Sequence, residues 1–264
     1  MHRLAALALI GLAGAACGAS HGHYSTTSLG RAHVVRFTVD SRLLGRRLEQ
    51  VGVIGGGGRR PLLVLLHGRS MPPDGLLSDQ LFTGLRSLRR RAPNIVFANG
   101  GDHSYFHDRP NEPWGAYVLR EVIPAAVKRL GADPHRIAIG GVSMGGFGAF
   151  DLARIAPDRF CAVGGHSAAL WFHGGDTAPG AFDDAADFAR HDLIRFAAAR
   201  RVYRLPVWID VGRDDPFLQS DTSLADELRR RATRVQFIVH SGGQSGWSGR
   251  MQEYLRFYAS ACGH

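Results

Sequence analysis

Lysine is all but missing from this chain: of its 32 basic side chains, Lys128 alone is not an arginine. The formal charge is still +9, an excess that would attract an anionic polymer if it were gathered on one face. The arginines are scattered and no nucleic-acid-binding motif accompanies them, so the exchange reads as the codon bias of a GC-rich genome. No nucleic-acid partner is expected. Cysteine is scarce too, at three residues, which excludes a disulfide-built scaffold. No apolar run reaches the ~18 residues that mark a membrane-crossing helix, and no internal repeat is visible. What is there is a chain of 264 residues, 45% hydrophobic. That length suits one sizeable α/β domain and is short for two.

The amino-terminal stretch reads as an address. Met1-His2-Arg3 is a short basic segment, and Leu4–Ala16 is an apolar run of secretory-signal length. Gly14-Ala15-Ala16-Cys17 resembles a bacterial lipobox, with Gly14 where leucine is usual; cleavage after Ala13-Gly14-Ala15 is the alternative. Either route implies export, and the first adds membrane attachment through a lipidated Cys17. With Cys17 processed, Cys161 and Cys262 remain, as a disulfide in an oxidising compartment or as two buried thiols. The expected division is therefore a signal over 1–17, a polar linker over 18–33 and one domain over 34–264.

Within that domain, strands and helices alternate. Val34–Val39 and Leu48–Ile54 read as strands with no helix between them, hence an antiparallel edge. Pro61–Leu66 and Arg136–Gly140 read as buried strands, and Asn94–Ala98, Phe160–Gly164, Pro206–Val211 and Val235–Val239 as further strands. Helices are expected over 76–91, 114–130, 147–155, 224–231 and 251–261. This pattern predicts a mostly parallel, doubly wound α/β sheet with helices on both faces. The segment 170–201 holds a helical piece, 184–200, and is the natural place for a small cap.

The chemistry concentrates after the strand Arg136–Gly140. Gly141-Val142-Ser143-Met144-Gly145 is a G-x-S-x-G pentapeptide between a buried strand and a helix. Glycines on both sides of the serine permit a strained turn that lifts its hydroxyl above the strand ends. Ser143 is thus the candidate nucleophile. The N–H of Met144 is one expected oxyanion donor, and the N–H of Arg69, in His67-Gly68-Arg69-Ser70, is the second. His67 itself is expected to pack and hydrogen-bond. Asp215 is the candidate acid, with Asp214 second, in the loop after Pro206–Val211. The loop after the last strand offers His240 as a base, although its place at the strand end suits a structural role equally.

Other polar clusters were weighed for ligands. Asp102, His103, His107 and Asp108 share the loop after Asn94–Ala98, but their spacing fits no helical ligand pair, and no metal is expected. His166 and Ser167 follow another strand and line the same edge. Trp114, Trp171, Phe172 and Trp247 wall an apolar pocket or cover the core.

Together, Ser41-Arg42-Leu43-Leu44-Gly45-Arg46, Leu66-His67-Gly68, Gly141–Gly146 and Gly212-Arg213-Asp214-Asp215-Pro216-Phe217 resemble the putative-esterase family. That family includes S-formylglutathione hydrolases, feruloyl esterases and secreted mycolyltransferases. The resemblance runs from about Val34 to Ala261 and implies the α/β-hydrolase fold, a serine nucleophile, an acyl-enzyme and no cofactor. It also implies a histidine where Gly242-Gly243-Gln244 places glutamine. Glutamine cannot take up and return a proton. The expectation is an exported carboxylic ester hydrolase acting on a small-molecule or envelope ester. The alternatives are an acyltransferase on an envelope sugar and a catalytically impaired binding module. Oligomeric state is not legible.

Overall fold

The computed structural model describes residues 21–263. The signal-like run and Cys17 lie outside the described residues. Eight strands form one sheet: β1 (His33–Ser41), β2 (Arg46–Ile54), β3 (Arg60–Leu66), β4 (Asn94–Ala98), β5 (Ala132–Val142), β6 (Ala162–His166), β7 (Val207–Gly212) and β8 (Val235–His240). Their order is β1-β2-β4-β3-β5-β6-β7-β8. The pairs β1–β2 and β2–β4 are antiparallel, and every pair from β4 through β8 is parallel.

Alternation along the central strands decides the layering. In β3, Leu62, Val64 and Leu66 point into one core and Leu63 and Leu65 into the other, all almost fully buried. A strand buried on both faces has no polar side, which is why β3 reads as an unbroken apolar run. The first core is closed by α2 (114–130), α3 (Met144–Ile155) and α6 (Leu218–Arg230). The second is closed by α1 (Asp79–Leu88) and α7 (Met251–Ala261). Within α2, Val118–Val122 is π-helical just before Pro124, which has no N–H to give the regular ladder.

Two segments differ from expectation. The described part of the linker is docked: Thr26–Leu29 is a helical turn, and Tyr24 packs its ring 4.9 Å from Phe82 of α1. The cap carries two helices, α4 (Ala185–His191) and α5 (Leu193–Ala199), broken at Asp192. The Asp192 carboxylate accepts the N–H of Arg195 at 2.9 Å and so caps the second helix.

Cys161, just before β6, and Cys262, just after α7, are joined as a disulfide with Cα atoms 5.4 Å apart. Behind the sheet a polar network ties the same elements. Asp210 of β7 accepts from Tyr254 Oη (2.6 Å) and Trp208 Nε1 (2.7 Å) and pairs with His166 Nδ1 (2.7 Å). Despite its burial, these partners hold the Asp210 carboxylate below the ordinary carboxylate range, chiefly through the charge and hydrogen bond of His166.

Candidate active site

The loops after the parallel strands gather at the carboxyl edge of the sheet, where open α/β sheets place their ligands. There β5 turns into α3 through Ser143, which sits at φ 52° and ψ −115°. A side chain at positive φ costs about 1–3 kcal/mol and persists only where its surroundings over-determine it. They do so here. The Ser143 N–H donates to the His166 carbonyl at 3.0 Å, and its own carbonyl accepts from Phe147 (3.1 Å) and Ala169 (3.0 Å). A Cβ on Gly141 would lie 2.3 Å from the Gly145 backbone, and one on Gly145 would lie 2.1 Å from the Leu66 carbonyl oxygen. Only glycine fits at either place. The half-buried Ser143 hydroxyl is left facing the loops above.

The oxyanion donors expected from the sequence stand beside it. Met144 is the first residue of α3, so its N–H has no partner one helical turn earlier. A Cβ built on Gly68 would lie 3.7 Å from Ser143 Cβ, which brings the β3 loop against the elbow. In that loop Ser70 N–H donates to Asp102 and Met71 N–H to Gly68, while among the described residues Arg69 N–H has no acceptor. His67 orders the turn. Its Nδ1 lies 2.9 Å from the Gly68 carbonyl and its Nε2 accepts the Gly100 N–H at 3.0 Å. Burial lowers its pKa, so the neutral ring that both bonds require is the stable form.

The acid and base positions do not form a proton relay. Gln244 Nε2 donates to Ser143 Oγ at 3.0 Å. His240, named from the sequence as the base, is turned elsewhere. Its Nδ1 lies 3.1 Å from the Ser241 carbonyl, and its Nε2 lies 3.4 Å from Asp210 Oδ2. The reason is register: His240 is the last residue of β8, paired with Gly212, two residues beyond Asp210. The turn holding Gly246 then packs on its ring, leaving no room for a Cβ there. Asp215 is buried. Its Oδ1 accepts the Phe217 N–H at 2.9 Å, and its Oδ2 has no partner among the described residues. The β7 and β8 loops are stitched by Arg213 N–H to His240 O (2.8 Å) and Asp214 N–H to Gly242 O (3.1 Å).

One acidic residue escaped the sequence reading. Asp221 of α6 is fully buried, and its pKa is raised well above the ordinary value by burial and then by the charges of Asp215 and Asp210. Asp221 is the fourth residue of its helix, and an aspartate in a helix's first turn is too common to mark a site.

Of the four aromatics named for a pocket, Trp171 joins the aromatic cluster around the buried Tyr105. Trp171 packs at 5.5 Å from Tyr105 and 5.6 Å from Phe217. Trp114 instead lies buried under the Arg46 guanidinium at 4.7 Å, Trp247 covers the second core, and Phe172 is exposed. Phe147 and Phe182 complete the apolar wall around Tyr105. The 740 Å³ groove lined by Leu29, Arg31 and Arg86–Arg91 lies among residues remote in the fold from this edge.

Esterase Rv1288 of Mycobacterium tuberculosis is 30% identical over 115 residues, covering 40% of this chain and 25% of that protein. This chain thus spans about a quarter of the length of that curated relative. A ferulic acid esterase structure superposes with TM-score 0.73 at 21% identity, covering 88% of this chain and 99% of that one. The S-formylglutathione hydrolase of Agrobacterium tumefaciens gives 0.72 at 18%, over 88% and 96%. At these identities the structures establish the α/β-hydrolase fold. Residues 53–251, which hold the elbow, Asp215 and Gln244, match the family described as "Putative esterase", and the chain belongs to that family of carboxylic ester hydrolases.

Proposed function

We propose that the Ser143 site binds carboxylic esters and hydrolyses them slowly, through an attack that no imidazole assists. The observation that carries this reading is the contact between Gln244 Nε2 and Ser143 Oγ at 3.0 Å. An amide in this place occupies a lone pair of the nucleophile and cannot accept its proton. The site keeps what binds and polarises an ester: a raised serine, two backbone donors at Met144 and Arg69, and an aromatic wall at Tyr105 and Trp171. It lacks the group that would relay a proton from serine to leaving alcohol. General acid–base assistance is worth ~10²–10⁴-fold in rate. A binding role with residual turnover therefore fits better than a fast esterase, and transfer to a sugar hydroxyl would meet the same obstacle.

Export is part of the proposal. The basic-then-apolar start of the chain supports it, and so does the Cys161–Cys262 pair, a bond favoured in oxidising compartments. Attachment through a lipidated Cys17 and an envelope ester as ligand follow from the same reading.

Fluorophosphonate labelling and hydrolysis of a short p-nitrophenyl ester test the site. The wild type is expected to label weakly and to turn over slowly, both lost in Ser143→Ala. Gln244→His should raise the rate by ~10²–10⁴-fold, with Asp215, whose Oδ2 has no partner among the described residues, as the acid to orient the new imidazole. Rapid wild-type turnover abolished by His240→Ala, with the fold intact by circular dichroism, would return His240 to the role of base and overturn the proposal.

A further inference from the structure

Three buried side chains from two segments 80 residues apart meet beneath the cap. His107 belongs to the loop after β4, and Asp187 and His191 stand one turn apart on α4. His107 Nδ1 lies 3.9 Å from Asp187 Oδ1, and His191 Nε2 lies 3.8 Å from the same oxygen. All three candidate ligand atoms lie within 4.8 Å of one another.

The far side of each ring fixes what those atoms are. His107 Nε2 is 2.9 Å from the Ala181 carbonyl, which can only accept, so Nε2 carries the proton and Nδ1 presents a lone pair. That Nδ1 is buried and has no hydrogen-bond partner among the described residues. His191 Nδ1 is 2.8 Å from Asp151 Oδ2, so the neutral ring that donates there turns its Nε2 lone pair toward Asp187. A buried imidazole nitrogen without a hydrogen-bond partner among the described residues, a second imidazole nitrogen and a carboxylate oxygen therefore face one point, the donor set of a bound cation. The outer partners match as well. A carboxylate behind one histidine and a backbone carbonyl behind the other are what orient metal-binding imidazoles. Asp187 Oδ2 is likewise held, by the Asp183 N–H at 3.0 Å.

We infer that His107, Asp187 and His191 form a binding site for a divalent transition-metal ion, with Zn²⁺ the best match to two nitrogens and one carboxylate oxygen. Bonds of about 2.0–2.1 Å in a tetrahedron put ligand atoms about 3.4 Å apart, so the N···O separations of 3.8 and 3.9 Å shorten on loading. One group competes with the ion. Arg190 donates to Asp187 Oδ1 at 3.0 Å, but its side chain is 57% exposed and can swing into water. The ion would clamp α4 to the rim loop and, through Asp151, to α3, behind the wall formed by Phe147 and Phe182. Its role is to seat the cap rather than to touch an ester at Ser143. The loop 102–108 carries no ligand set by itself, because two of the three ligands come from the cap.

Protein stripped with EDTA and titrated with Zn²⁺ alone should take up one ion per chain by calorimetry and melt at a higher temperature. Co²⁺ in its place should give the intense visible bands of a four-coordinate centre. Asp187→Asn keeps the shape of the side chain and should weaken Zn²⁺ binding by at least tenfold and remove those bands. Arg190→Ala should bind Zn²⁺ more tightly than the wild type, and it serves as the decisive variant should Asp187→Asn fail to fold. The inference is overturned if the stripped protein takes up no Zn²⁺. Equal affinity in wild type and Asp187→Asn, or no gain in Arg190→Ala, overturns it equally.

Discussion

His67 and Gln244 are both polar residues at the nucleophile, and their different fates show how little residue type says without its partners. His67 is buried, with one ring nitrogen donating to Gly68 and the other accepting from Gly100, so its neutral form is built into the oxyanion turn. Its pKa is lowered in the folded state by burial, whereas in the unfolded chain it titrates near the usual ~6.5. Below that pH the unfolded chain binds the extra proton, so the contribution is complete above about pH 6.5 and is lost as the pH falls through the unfolded value. Urea unfolding between pH 7.5 and 5.5 should show stability falling toward acid, by up to ~1.4 kcal/mol per pH unit for one proton. His67→Gln can keep both hydrogen bonds without titrating and should flatten that slope; an unchanged slope would assign the proton elsewhere. Gln244, four residues beyond His240, has no such burial to declare it. Which of the two met Ser143 depended on the turn 244–250 that follows Gly243, and no local propensity encodes that.

Elements were more legible than residues, because an apolar run announces a buried strand whatever its neighbours are. The strands found in β3, β4, β5 and β7 begin and end within a few residues of the apolar runs that suggest them. The positions of Ser143 and Asp215 follow from the same runs, since each lies in the turn after such a strand. The pairing order was not in the periodicity, which marks buried faces and not which strand lies beside which. The cap was misjudged as one helix because Asp192 looks like an ordinary exposed residue of a helical run. Its φ of −70° and ψ of 90° break the run, and its side chain restarts it. The break also turns His191 inward to Asp151. Asp192→Ala removes that cap and should cost ~1 kcal/mol, as such substitutions do. Amide exchange should speed up across α5 more than across α4; uniform loss over the whole cap would mean the two helices behave as one.

At the scale of the whole molecule, the carboxyl-terminal helix is held to the sheet by two independent devices. One is noncovalent: Tyr254 donates to Asp210, while Tyr258 meets His166 Nε2 at 3.0 Å behind the carboxyl edge. The other is the Cys161–Cys262 bond, which spans 101 residues of chain. A cross-link of that span removes conformational freedom from the unfolded state, by about 4.7 kcal/mol in the chain-entropy model and ~2–5 kcal/mol in practice. The buried network persists when the bond is opened, so reduction should lower stability without unfolding the domain. Urea unfolding with and without dithiothreitol, and of a Cys161→Ser, Cys262→Ser double variant, should show a loss of ~2–5 kcal/mol with native circular dichroism retained in water. The reduced protein and the double variant should agree, since both lack the same constraint on the unfolded chain. If neither differs from the oxidised protein, the two cysteines contribute as buried thiols. An oxidising compartment would then be supported by the amino-terminal sequence alone.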